Sequence, residues 1–169
     1  MNVLSLDLGT STGFAIFKNG SIISGVKKLR HNVSASGLRF LDFRHWLIDT
    51  IKTYGIDQIL YERVYAHRGT AAAHCYGGWL YHLAAVCEEL KIKCNGIPVT
   101  TIKKQATGRG NATKDEMIAF ARANGFNPID DNEADALAVL FIGLNLSKAG
   151  DSKQSTFWNV NGDMNNKCK

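Results

Sequence analysis

LSLDLGTSTGFAIF, residues 4–17, carries one aspartate, Asp7, in an apolar run that breaks at Gly9, Thr10, Ser11, Thr12 and Gly13 and then resumes. Three readings compete for it: a solvated residue that starts a turn, a phosphate-site residue of an ATPase, or a metal ligand in a nuclease. The strand is otherwise apolar on both faces, and a carboxylate there is costly unless it is paired or coordinates a cation. Aspartate also favours turn starts, so the stretch alone leaves the question open.

The flanking pattern gives the architecture. Residues 3–8 read as a buried strand and 13–18 as its partner across the Gly/Thr/Ser turn. Asn19-Gly20 is a two-residue hairpin signal leading to a third strand at 21–26. Leu38, Leu41, Phe43, Trp46, Leu47 and Ile51 predict a helix over 36–54, ended by Gly55. DQILY (57–61) predicts a fourth strand with Glu62 at its exit, followed by a helix over 70–90 and a fifth strand at 93–97. Two more helices are expected over 114–124 and 132–146, separated at Asn127-Pro128.

This order is that of an α/β domain over residues 1–146, a mixed five-stranded sheet flanked by helices. The first and fourth strands would lie side by side, bringing Asp7 and Glu62 to one end. From Ser147 onward Lys, Asn, Ser and Gly dominate, relieved only by Phe157, Trp158, Val160 and Met164. A C-terminal tail over 147–169, poorly ordered or docked only locally, is expected there.

Composition bounds the function classes. A chain of 169 residues suits one domain with a proper core. No apolar run approaches the roughly 20 residues that span a bilayer, and no basic n-region precedes the first strand, so neither a membrane partner nor a signal peptide is expected. Cys75, Cys87, Cys94 and Cys168 form no CxxC pair or zinc spacing, which favours reduced thiols and an intracellular setting. His31, His45, His67, His74 and His82 show no paired spacing that favours a metal over packing. The net charge of +5 suits a polyanionic partner without requiring one.

Two further carboxylates stand in unexpected places. Glu62 leaves a hydrophobic strand in ILYERVY (59–65), where a surface pair with Arg63 would be the plain explanation. In DDNEADALAVLF (130–141), Asp130, Asp131 and Glu133 are explained by complementing a helix N-terminus. Asp135, set between Ala134 and Ala136, is not. Carboxylates from two strand ends and one helix start can converge on a pair of hard cations, Mg²⁺ or Mn²⁺, in phosphodiester hydrolysis.

With these blocks assembled, residues 1–146 resemble the RuvC family of Holliday-junction resolvases, in a phage-like version, within the RNase H-like nuclease superfamily. LDLGTSTGFAIF is similar to the family's first strand, YERVY to its second motif and NEADALAVL to its last. The resemblance implies an RNase H-like fold and a crossover junction endodeoxyribonuclease, with Asp7, Glu62 and Asp135 as metal-binding catalytic acids. It also makes Tyr65 an aromatic that stacks on bases near the crossover. IKKQATGRGNATK (102–114) resembles the family's lysine–glycine segment, placing Lys103 and Lys114 at the active-site phosphates, with Lys104 and Arg109 as further DNA contacts.

The family usually carries an acid three residues before the last aspartate. Here that position is Asn132, and Asp131 could substitute from one residue earlier. The resemblance further implies branched DNA, a four-way junction, as substrate, a homodimer for two symmetric cuts, and the cytoplasm of a bacterial cell or a phage-infected host. The helix over 70–90, with Ala71 to Ala73, Gly77, Gly78 and Trp79, is the candidate interface, although core packing explains the same residues.

Besides a general RNase H-like nuclease that cuts other branched DNA or RNA, two rival readings remain. Actin- and sugar-kinase-like ATP-binding proteins also open with an Asp-x-Gly-Thr turn, but they need a second half with another phosphate loop and an adenosine motif. A DNA-binding protein with weak or no catalysis is the other, and Asn132 keeps it in play.

Overall fold

The computed structural model describes residues 1–29, 37–66 and 69–150. Strands β1 (Val3–Asp7), β2 (Ser11–Lys18), β3 (Ser21–Lys28), β4 (Gln58–Arg63) and β5 (Lys93–Pro98) form one sheet in the order β3-β2-β1-β4-β5. The three N-terminal strands pair antiparallel, and β1–β4 and β4–β5 pair parallel. The mixed five-stranded sheet and the neighbouring first and fourth strands are those expected. The Asn19-Gly20 hairpin turns with both residues at positive φ, 53° and 81°, as a two-residue loop between twisted strands requires.

Helices α1 (Leu38–Tyr54), α2 (Thr70–Leu90), α3 (Val99–Thr107), α4 (Lys114–Ala123) and α5 (Asp131–Gly150) flank the sheet. On one face Leu4, Leu6, Ile16, Ile59 and Tyr61 pack with Phe43 and Leu47 of α1 and with Trp79, Leu83 and Val86 of α2. On the other, Val3, Ala15 and Leu60 meet Leu137 and Leu140 of α5, Ile102 of α3 and Met117 of α4. Side chains alternate along a strand, so Asp7 shares its face with Val3 and Ser5, and Glu62 shares its face with Leu60. Both acids therefore face the α5 layer. The β1–β4 register sets Leu6 opposite Tyr61, so Asp7 and Glu62 follow as neighbours at the strand exits.

Two small residues let α5 lie directly on the sheet. Gly13, opposite Asp7 in β2, sits beneath the first turn of α5, where a Cβ would overlap the Asn132 carbonyl. Ser5, fully buried, donates its hydroxyl 2.7 Å to the Ala136 carbonyl oxygen, one residue past Asp135. Together they fix the height and the axial position of the helix that brings the third carboxylate.

The structure corrects several expectations. A helix, α3, occupies 99–107, where no element was expected; it is held by fully buried Ile102 and ended by Gly108 in a left-handed conformation, φ 81°. Gly108 therefore stops a helix. Strand β2 begins at Ser11 and β3 runs to Lys28, each two residues beyond the expected bounds. Thr12 closes the shortened turn by donating its hydroxyl 2.6 Å to the Gly9 carbonyl. Helix α5 runs to Gly150, four residues into the expected tail, and residues 151–169 lie outside the described residues.

Cys75, Cys87 and Cys94 are free thiols, while Cys168, His31 and His67 lie outside the described residues. His82 stacks on the Phe40 ring at 5.5 Å, a packing role. Of the proposed interface residues on α2, Ala71, Ala72 and Ala73 are exposed, but Trp79 belongs to the monomer core and Gly78 leaves room for the Phe40 ring. Among the described residues no helix is long and apolar enough to cross a membrane.

Candidate active site

The exits of β1 and β4 and the first turns of α5 meet at one end of the sheet, and the acids foreseen in the sequence meet there. Asp7 is surrounded by carboxylates. Burial first, then the charges of Glu62, Asp135, Asp131 and Asp130 in that order, push its carboxyl well above the usual range. Glu62, with 8% of its surface exposed, is pushed up to about 7 by burial and by Asp135, against the pull of Lys103. Burial likewise raises Asp135 to about 6, with Asp131 adding to the rise and Lys103 and Lys114 opposing it. The Oδ1 atom of Asp135 is buried with no hydrogen-bond partner.

Such an arrangement stabilises nothing in the fold by itself. Like charges gathered in a partly dry site oppose folding unless protons or a cation compensate them, and a buried carboxylate oxygen without a donor is costly. The donor set is oxygen only, which suits a hard divalent cation. Among the described residues no three Asp, Glu, His or Cys side chains already stand as a closed metal cage. Mutual repulsion opposes such closure when only carboxylates are present. The orphaned Asp135 oxygen and the all-carboxylate donor set nevertheless fit Mg²⁺ or Mn²⁺.

The acids at the start of α5 divide between two tasks. Asp130 caps the helix, its Oδ1 accepting from the Glu133 amide at 3.0 Å. Glu133, 6% exposed, accepts from the Ser24 hydroxyl at 2.6 Å and from the Ile129 amide at 2.8 Å, tying α5 to β3 and to the incoming loop. The Asn132 amide nitrogen donates to Asp130 at 3.1 Å. Asp131 is ion-paired with Lys114, which holds its carboxyl below the usual range. Of the two residues offered to complete the site, Asp131 contributes charge that Asp7 feels, whereas the Asn132 side chain is occupied with the cap.

The basic segment is placed unevenly. Lys103, on α3, donates to the Ala112 carbonyl at 3.0 Å and lies near enough to Glu62 and Asp135 to lower both carboxyls. Lys114, fully exposed, pairs with Asp131 at the mouth of the site. Arg109 pairs with Glu116, itself part of a capping box with Thr113 that starts α4. Lys104 is exposed on α3. Tyr65, just past the exit of β4, is 71% exposed.

Sequence reasoning passed over Ser5 and Tyr76, and took Gly13 only as a turn residue and Glu133 only as complementing a helix N-terminus. The Tyr76 hydroxyl, on α2, donates to the Glu62 carbonyl at 3.0 Å and accepts from the Val64 amide at 3.2 Å. A serine in an apolar strand and a glycine opposite Asp7 were the available signals. Arg63 also differs from the surface pair considered for it: it follows Tyr61 on the opposite face from Glu62 and donates to the Tyr61 hydroxyl at 3.2 Å.

No protein-family model and no curated protein matches the sequence. The fold does match solved structures. RuvC from Thermus thermophilus aligns with a TM-score of 0.72 at 18% identity, over 89% of this chain and 97% of that one. The same organism's RuvC in complex with Holliday junction substrate gives 0.75 at 18% identity, over 89% and 96%. The yeast mitochondrial Holliday junction resolvase Ydc2 gives 0.58 at 13% identity, over 81% and 75%. These likenesses show the fold, the RNase H-like mixed five-stranded α/β architecture of the RuvC structures.

Proposed function

We propose that this chain is a metal-dependent endonuclease that resolves four-way DNA junctions by paired, symmetric phosphodiester hydrolysis. The observation that carries the proposal is the meeting of Asp7, Glu62 and Asp135 from β1, β4 and α5, with a buried Asp135 oxygen that has no partner. The likeness to RuvC bound to Holliday junction substrate supports the choice of DNA.

Asp7, Glu62 and Asp135 would hold Mg²⁺ or Mn²⁺, two ions per site, with Asp131 completing the set and Asn132 able to offer only a neutral oxygen. Bound there, the ions would activate a water and stabilise the leaving oxygen, giving 5′-phosphate and 3′-hydroxyl ends. Lys103 and Lys114 neutralise phosphate charge beside the carboxylates, and Lys104 and Arg109 extend the basic track along the backbone without reading sequence. Tyr65 stacks on an exposed base at the opened crossover. Two symmetric cuts require two sites, so the working form is a homodimer whose twofold axis matches that of the junction. The exposed Ala71–Ala73 stretch and Tyr81 of α2 are its candidate contact.

The test is cleavage of a synthetic four-way junction beside matched linear duplex, with Mg²⁺ or Mn²⁺, wild type against Asp7→Asn. Paired nicks in the junction that the substitution abolishes and the duplex lacks are expected. A second reading, a junction-binding protein without cleavage, draws on Asn132 and on the lack of a ready-made cage among the described residues. Tight binding with no cutting under either ion would decide for it.

A further inference from the structure

We propose that Arg63 and Tyr76 are positioning residues that hold Tyr65 and the Glu62 backbone as one rigid unit, so that the base-stacking ring and the carboxylate site engage a junction together. This rests on the stacking role proposed for Tyr65. Tyr65 is 71% exposed, whereas Tyr61, four residues earlier, is 1% exposed and anchored in the core. The Arg63 guanidinium lies 6.0 Å from the centroid of each ring and donates to the Tyr61 hydroxyl at 3.2 Å. A buried ring thus anchors the cation, and the cation in turn lies against the exposed ring.

The neighbouring strand is shaped for this stack. At Gly96 of β5 a Cβ would stand 2.6 Å from Tyr61 Cζ and 2.8 Å from Arg63 Nε, so any side chain there would displace ring and guanidinium together. On the helix side, the Tyr76 hydroxyl bridges the Glu62 carbonyl and the Val64 amide, satisfying backbone groups just where the β4 ladder ends. The main chain is therefore pinned between the acid and the ring, and the ring is pinned through its arginine.

The physical need is pre-organisation. An exposed tyrosine free to sample its rotamers loses that freedom when it stacks on a base, which weakens the contact. A ring already held over a guanidinium loses less. Arginine suits the task because its flat fork can donate to one tyrosine while lying against another, which a lysine ammonium does not reproduce. A purely structural Arg63 would steady Tyr61 and leave Tyr65 indifferent to its loss.

The experiment uses a four-way junction carrying 2-aminopurine beside the crossover. Fluorescence is read in an Asp7→Asn background that binds without cutting, and single-turnover cleavage is read with Mg²⁺ in the active protein. Arg63→Ala, Tyr65→Ala and the pair are compared. We expect Arg63→Ala to lose most of the fluorescence rise and to slow cleavage on the order of tenfold, with no further loss when it is added to Tyr65→Ala. Tyr76→Phe, which removes one hydroxyl, and Arg63→Lys shift both readouts in the same direction and cover the case in which Arg63→Ala fails to fold. Multiplying effects of Arg63→Ala and Tyr65→Ala, or a full fluorescence rise without Arg63, would overturn the inference. If unsubstituted Arg63 and Tyr65 gave no junction binding and no cleavage, the junction reading itself would fail and this inference with it.

Discussion

Gly13→Ala adds a single methyl group where the first turn of α5 crosses β2, and two general rules give it opposite signs. Gly13 is not among the glycines held at positive φ, so alanine accepts its backbone conformation. On that ground alone the substitution should stabilise by about 0.4–1 kcal/mol, through a less flexible unfolded chain. The added Cβ, however, would overlap the carbonyl oxygen and carbon of Asn132 and stand 3.1 Å from the Glu133 amide nitrogen. These are backbone atoms of a helix, which no side-chain rotation can move aside. To regain van der Waals separation, helix and strand must part by about 1 Å. Overpacking of that kind costs roughly 1–3 kcal/mol, so the expected net change is a loss of about 1–2 kcal/mol in urea unfolding.

The same displacement moves Asp135 away from Asp7 and Glu62. A shift of about 1 Å in a reacting group costs on the order of 10²-fold in rate, and single-turnover junction cleavage should fall by that much. Junction affinity should change less, because Lys103 and Lys104 stand on α3 and Lys114 on α4. Gly13→Ala protein as stable and as active as wild type would refute the claim that α5 rests on the bare glycine. Lost stability with unchanged cleavage would keep the packing claim and reject the link to Asp135.

The raised carboxyls give a pH-dependent prediction. Glu62 at about 7 and Asp135 at about 6 keep protons in the folded protein that the unfolded chain releases near its ordinary values. Their favourable contribution is therefore complete at acid pH and is lost as pH rises through about 6–7. In metal-free buffer, Glu62→Gln should melt above wild type at pH 8 and level with it at pH 4, a gap on the order of 1–3 kcal/mol; a gap independent of pH contradicts the electrostatic account. Millimolar Mg²⁺ or Mn²⁺ should raise the melting temperature of wild type and much less that of Asp7→Asn, and equal gains in both would argue against an ion among these acids. Lys103→Met removes the cation that lowers both carboxyls, so the acid limb of the cleavage pH profile should move upward by about half a unit to one unit. An unmoved limb would reduce Lys103 to its hydrogen bond with the Ala112 carbonyl.

The sequence determined the architecture where local chemistry is strong. The apolar runs of β1 and β4, the Asn19-Gly20 turn and the stripes of α1, α2 and α5 announce themselves through period and turn residues. The adjacency of β1 and β4 was an inference from the order of elements, and the parallel β1–β4 pairing decides it. Helix α3 was illegible because Val99, Thr100, Thr101 and Ile102 are β-branched and disfavour helix; burial of Ile102 against α5 and its neighbours outweighs that preference.

The site was half legible. Asp7 and Glu62 stand out because a carboxylate in an apolar strand is costly unless it is paired or coordinates a cation, although a turn start and a pair with Arg63 offered local explanations. The start of α5 is different: Asp130, Asp131, Glu133 and Asp135 are all acids within one and a half turns, and although Ala134 and Ala136 set Asp135 apart from the capping acids, spacing does not say what each one meets. Tertiary contacts do so. Asp130 meets the helix amides, Glu133 meets Ser24 and the Ile129 amide, and Asp131 meets Lys114, each finding a donor. Asp135 is turned by Gly13 and Ser5 toward the strand exits, where its Oδ1 has no donor. Residue type and order set Asp135 apart from the capping acids; only the packing of that helix on the sheet decides that its oxygen is left without a partner.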